Sequence, residues 1–209
     1  MKLVSLLSSG IDSPVATYLL SKKAKEIIVV HGDIQPFTDK KENENFLKLV
    51  KKLKEIIKPS IKCYVFLHGY SLNEYIENCD KKYTCIFCKR MLLRYAEKIS
   101  EINDFDAIVM GDSLGQVASQ TLQNINVIDQ AVKMPIFRPL IGFDKQEIVS
   151  KSKKIGIYDY SILPSVGCNA VPDKPSTETS LEKIILEEKK IDIKRLVDNA
   201  IKNSKIIEI

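Results

Sequence analysis

The sequence predicts an α/β fold in which an open parallel sheet carries helices on both faces. Three observations lead there. Short β-branched runs alternate along the chain with stretches of helical periodicity. Each strand-like run is brief and bounded by turn residues, as in strands buried inside a sheet. The 209 residues are 44% hydrophobic and 28% charged with mixed signs, enough for a core and unlike a disordered chain.

Lys2–Leu7 is the first strand, closed by Ser8-Ser9-Gly10. A helix follows over Ser13–Lys23, with Pro14 in its first turn, where proline is tolerated. Glu26–His31 is the second strand. From Thr38 to Lys58 the apolar residues Phe46, Leu49, Val50, Leu53, Ile56 and Ile57 recur at three- and four-residue steps, which predicts a long amphipathic helix. Ile61–Leu67 is the third strand and Cys85–Ser100 a further helix. Ala107–Gly111 is the fourth strand, and Gln120–Ala131 is read as helical. Pro135–Leu140 is a short extended piece. Asp144–Ile155 is a helix capped by Asp144, with Glu147 at the capping-box position. After Cys168 a Pro-rich loop leads to helices at Ser180–Lys190 and Asp192–Asn203. One domain is expected, residues 1–177, with 178–209 as its helical extension. In such a sheet, ligands bind at the carboxyl ends of the strands.

Charge and cysteine usage narrow the class. Thirty-two Lys and Arg against 27 Asp and Glu leave a net +5, which permits an anionic partner without requiring one. The lysines Lys48, Lys51, Lys52, Lys54 and Lys58 read as the wet face of an amphipathic helix. No apolar run approaches the roughly 20 residues of a membrane span. The opening stretch turns polar too soon for a signal peptide, so a cytoplasmic protein is expected. Five cysteines, two of them in Cys85-x-x-Cys88, point to metal or redox chemistry rather than a disulfide scaffold.

The turn Ser8-Ser9-Gly10-Ile11-Asp12-Ser13 joins the first strand to the first helix. Consecutive backbone N–H groups and a helix N-terminus favour an anion there. Small residues let phosphates approach, and the Ser8 and Ser13 hydroxyls add donors. Asp12 would repel a phosphate unless Mg²⁺ bridges it to a nucleotide. No lysine follows the glycine, so the loop is not a Walker A. On the loop alone, a plain N-cap with a small-residue turn remains the other reading.

This turn resembles the PP-loop, Ser-Gly-Gly-x-Asp-Ser, of enzymes that split ATP into AMP and pyrophosphate, with Ser9 in place of the first glycine. Three more blocks narrow the match: Cys85–Ala96 (CIFCKRMLLRYA), Gly111–Asn124 (GDSLGQVASQTLQN) and Arg138–Ile148 (RPLIGFDKQEI). In this order and spacing they resemble the catalytic domain of the tRNA 4-thiouridine synthetases, the ThiI-like tRNA sulfurtransferases. The resemblance covers roughly Lys2 to Thr177.

It implies a Rossmann-like PP-loop fold and an ATP-dependent sulfurtransferase that adenylates a tRNA uridine, releases pyrophosphate and inserts sulfur. A PP-loop enzyme adenylating another nucleobase or small molecule, and a non-catalytic ATP- or cluster-binding subunit, stay open beside it. The implied ATP contacts are Ser8, Ser9, Gly10, Ile11, Asp12, Ser13, His31, Gly111, Asp112, Gln116 and Gln120. Asp12, Lys145 and Cys168 are the implied catalytic residues, Lys145 facing charge that develops on the α-phosphate. Arg90, Arg94 and Lys174 are expected to touch RNA. Cys85, Cys88 and Cys168 together resemble archaeal-type members and imply a [4Fe–4S] cluster with one iron open to sulfide. A persulfide relay, zinc and a Cys85–Cys88 redox pair stay open beside it, while Cys63 and Cys79 read as a core thiol and a loop thiol. The expected cofactors are ATP, Mg²⁺ and that cluster. The expected partners are tRNA, a separate THUMP-type tRNA-binding protein, sulfide or a sulfur-donor protein, and a second copy in a homodimer. Neither a THUMP nor a rhodanese module is recognised in the chain.

Overall fold

The computed structural model describes residues 1–209. Five strands are parallel: β1 (Lys2–Leu6), β2 (Glu26–Asp33), β3 (Ser60–Leu67), β4 (Ala107–Val109) and β5 (Ile136–Phe137). The sixth, β6 (Lys205–Glu208), pairs antiparallel with β3, in the order β5-β4-β1-β2-β3-β6. The order reverses between β1 and β4, so a crevice opens at their carboxyl ends.

Side chains alternate across this sheet because successive Cβ atoms point to opposite faces. Val4, Leu6, Ile28, Val30, Tyr64, Phe66 and Ile108 enter one core. That core is covered by α3 (His68–Asn78), α4 (Thr84–Asn103), α5 (Leu122–Asp129), α8 (Leu181–Glu188) and α9 (Ile193–Lys202). Leu3, Ile27, Val29, Ile61, Cys63, Ala107 and Val109 face the other side, under α1 (Asp12–Ser21), α2 (Lys40–Ile56) and α6 (Lys145–Lys154). A one-turn α7 (Tyr158–Ser161) follows Ile157, which is fully buried there. The apolar stripe expected on α2 is the one it buries: Phe46, Leu49, Val50 and Leu53. The Asp144–Glu147 capping box forms with both bonds present.

Two expectations change, and one helix is added: α3 fills a stretch to which the sequence assigns no element, its first turn following β3 without a break. The segment expected as Gln120–Ala131 splits into a 3-10 turn, Ala118–Gln120, and the shorter α5, since Thr121 takes an extended conformation and caps α5 through Asn124 N. Residues 178–209 hold a strand as well as two helices: β6 is specified by pairing with β3 and carries no signal of its own. Ile184, Leu196 and Ala200 from this stretch lie in the same core as Val4 and Phe66.

A buried ion cluster fastens α8 to α4. Arg90 is 2% exposed and forms two bonds to Glu188, with Nε at 2.8 Å and Nη2 at 2.9 Å. Arg94 adds two more, at 2.8 and 2.7 Å. Burial pushes the Glu188 carboxyl upward, but hydrogen bonds from both arginines outweigh it and hold the group below the ordinary glutamate range. Removing the carboxylate leaves the buried Arg90 and the partly buried Arg94 without their counter-charge. Glu188→Ala is therefore expected to lower the unfolding free energy by about 3 kcal/mol at neutral pH, measured by urea denaturation. The folded carboxyl takes up protons less readily than the unfolded one. Its contribution is thus complete above about pH 5 and fades as acid titrates it below its ordinary value. A difference between wild type and variant that stays flat down to about pH 3 would contradict the pairing.

Candidate active site

A cavity of about 370 Å³ lies at the reversal point, with the turn after β1 on one wall and the ends of β2 and β4 on the others. The turn is shaped by its own hydroxyls. Ser8 N donates to Ser13 Oγ at 2.9 Å, the Ser8 and Ser13 hydroxyls share a bond at 3.1 Å, and Gly10 N donates to Ser8 Oγ at 3.3 Å. No side chain caps α1, so the N–H groups of its first turn are left for another acceptor beside the cavity. A glycine is required at 111: a Cβ there would stand 2.6 Å from both N and Cα of Ser13. β4 can therefore approach the turn only without a side chain at that position.

Asp12 and Lys145, 133 positions apart, meet in an ion pair with Nζ 2.6 Å from Oδ1. α6 delivers the lysine from its first residue and α1 delivers the aspartate from its first turn. Asp112, 4% exposed, is held from three directions: Lys89 Nζ at 2.7 Å, Arg138 Nε at 3.0 Å and Gln120 Nε2 at 3.3 Å. Burial raises the Asp112 carboxyl, but the charges of Lys89 and Arg138 prevail and keep it below its usual range. With both oxygens engaged, Asp112 is the anchor of the cavity wall rather than a free metal ligand. Gln120 Oε1 is buried without a partner, an acceptor waiting in a wall otherwise satisfied. His31 is buried, stacked on Phe46 at 3.7 Å, with Nδ1 on Leu7 O at 3.0 Å. Burial lowers its pKa, so the ring is a neutral wall.

Of the residues expected to contact ATP, Ser8, Asp12, Ser13, His31, Gly111, Asp112 and Gln120 line this cavity. Ser9, Gly10 and Ile11 complete the turn behind it. Gln116 does not line it: its amide is spent on Ser113 Oγ at 3.0 Å. Two charged lining residues are absent from the expected nucleotide contacts, Lys89 and Glu42. Lys89 directly follows Cys88, and that adjacency was the available signal. Glu42 looked like one more polar residue on an amphipathic helix. A larger cavity, about 520 Å³, lies between α1, α2 and α6, and none of the motif residues faces it.

The thiols gather beside this cavity. Cys85 and Cys88 sit on the first turns of α4, four residues and one residue ahead of Lys89, and the charge of the exposed Cys168 adds to the rise of both thiols. Burial is the larger cause in each case. His68, fully buried, places Nε2 3.2 Å from Cys88 Sγ. No group of three or more His, Cys, Asp and Glu side chains closes into a metal cage. Cys63 is buried in the sheet, its thiol pushed up to about 12, and Cys79 donates to Glu187 O at 3.3 Å from a loop.

The expected RNA contacts divide. Arg90 is buried and both Arg90 and Arg94 are spent on Glu188, so neither is free to meet a phosphate: as α4 packs, both arginines turn toward α8. Lys174 is exposed, on the loop after Cys168. No helix is long and apolar enough to cross a membrane.

Known proteins share this fold. A 4-thiouridine synthetase crystallised with RNA and ATP superposes with a TM-score of 0.90 at 33% identity, covering 99% of this chain and 54% of that one. An NMN synthetase from Francisella tularensis matches at a TM-score of 0.59 and 12% identity, a likeness of fold alone. A probable tRNA sulfurtransferase of Methanosarcina mazei is 38% identical over the whole chain, and one of Methanothermobacter thermautotrophicus is 44% identical over 200 residues. The chain spans about half the length of these relatives, 52% and 51%. Residues 1–193 match the family described as thiamine biosynthesis protein (ThiI), and the chain belongs to that family.

Proposed function

We propose that this chain is the catalytic half of an ATP-dependent tRNA sulfurtransferase that makes 4-thiouridine. One observation carries the reading: the first turns of α4 supply Lys89 to the nucleotide cavity and Cys85 and Cys88 to the thiol trio, so nucleotide and sulfur chemistry share one rigid element. The remaining length of the relatives, or a separate THUMP-type protein, would grip the tRNA, and a second copy would complete a homodimer.

A uracil carbonyl resists displacement by sulfur, so its oxygen must first become a good leaving group. ATP seats its phosphates on the turn Ser8–Ser13 and the open N-terminus of α1. The uracil O4 attacks the α-phosphorus and pyrophosphate departs, leaving AMP on the base. Lys145 faces the charge that develops on the phosphate, and on binding it would exchange Asp12 for phosphate oxygens. Asp12, thus freed, is the carboxylate suited to Mg²⁺. Gln120 Oε1 and the neutral wall at His31 hold the nucleoside part. Sulfur then bonds to C4 and AMP leaves with the C–O electrons.

Three soft donors with no carboxylate among them are the ligand type a [4Fe–4S] cluster takes, and Cys85, Cys88 and Cys168 would hold it. Such a cluster would present sulfide at its open iron. The exposure of Cys168 favours a second reading, in which that thiol carries the sulfur as a persulfide. Anaerobic purification followed by iron and acid-labile sulfide analysis separates the two.

Asp12→Ala is expected to abolish ATP–pyrophosphate exchange stimulated by tRNA, and full exchange would remove Asp12 from the site. Cys168→Ala is expected to keep the exchange while blocking the 4-thiouridine absorbance; normal thiolation would exclude both sulfur routes. Gly111→Ala should weaken ATP binding at least about tenfold in calorimetry, because the new Cβ displaces the turn at Ser13.

A further inference from the structure

The turn after β1 departs from the family's pattern at Ser9, and that serine has a specific partner. Its hydroxyl donates to Oε1 of Glu42, in the first turn of α2. The other oxygen of the same carboxylate accepts from Ser165 Oγ at 3.0 Å, three residues before Cys168. Glu42 thus stands between the phosphate turn and the segment that carries the exposed thiol. Its own backbone is fixed by the N-cap, Glu42 N to Asp39 Oδ1 at 3.3 Å. The Cys168 segment is tied to the same stretch of chain elsewhere. Thr38 Oγ1 donates to Val166 O at 2.7 Å, Asn169 N donates to Phe37 O at 2.8 Å, and Asn45 Nδ2 reaches Pro164 O at 3.3 Å.

We propose that Glu42 is a positioning residue that couples occupancy of the phosphate turn to the Cys168 segment. Glu42 lines the nucleotide cavity together with Ser8, Asp12 and Ser13. A triphosphate seated on the turn places negative charge beside this carboxylate and competes for the Ser9 hydroxyl. The repulsion moves Glu42 away from Ser9, and the shift passes through Ser165 to the segment behind it. The thiol segment is held while the turn is empty and loosened when nucleotide arrives. The coupling rests on the nucleotide reading of the cavity given above.

Hydrogen exchange at the Asn169 amide, which is bonded to Phe37 O, reads the segment directly and needs no turnover. In the wild-type chain ATP should speed that exchange by about two- to tenfold, the range set by one hydrogen bond. Ser165→Ala alters an exposed serine outside the cavity. It should exchange fast without nucleotide and show no further response, with ATP bound about two- to tenfold more tightly, because the coupling is reciprocal. Glu42→Ala should also exchange fast without nucleotide. Glu42→Gln keeps a group able to bond both serines but loses the charge, so it should exchange slowly and ignore ATP. A response to ATP that persists in Ser165→Ala or Glu42→Gln overturns the coupling, as does unchanged basal exchange in Glu42→Ala. Calorimetry with ATP separates the two levels: no binding to the wild-type chain removes the nucleotide reading and the coupling with it, whereas binding without a change at Asn169 removes the coupling alone.

Discussion

The candidate site depends on one buried carboxylate, Asp112, at the point where the sheet reverses its winding. Lys89 reaches it from α4, Arg138 from the end of β5, and Gln120 from the turn ahead of α5. Three elements distant in sequence are thereby fixed around the end of β4. Desolvating such a group is costly, and buried ion pairs contribute little net stability. What the cluster supplies is position. With Gly111 pressed against Ser13, it sets the width of the crevice between β1 and β4.

The same economy appears on α4, which lies against the sheet through Phe87, Met91 and Tyr95 and uses its remaining faces for chemistry. Its first turns present two thiols and a cavity lysine, while Arg90 and Arg94 further along bind Glu188 of α8. A chain poor in arginine has set two of its four on this one carboxylate. Arginine suits that position because its planar fork satisfies both carboxylate oxygens at once.

Much of this was legible in the sequence, and the parts that were not share a cause. β1 to β4, α2 and the α6 capping box carry their specification locally, as apolar runs, helical periodicity and a capping pair. The phosphate turn was legible because short-range backbone chemistry dictates its residue types. β6 was not, since four residues become a strand only through a partner more than a hundred positions away. The roles of Arg90 and Arg94 were misjudged for a similar reason. The family resemblance implies RNA contact at both, and only the packing of α8 reveals that their partner is Glu188. Glu42 and Lys89 likewise gain their meaning from neighbours the linear order hides.

The sheet's two borders have a consequence for how copies of this molecule meet. β5 is two residues long and β6 four, so each flank exposes only a brief row of unpaired amides and carbonyls. Stubby borders make poor templates for strand-to-strand stacking. Pairing of one sheet border with another is thereby disfavoured, which leaves the continuous interior ladder of β1, β2 and β3 insulated from growth into a fibre.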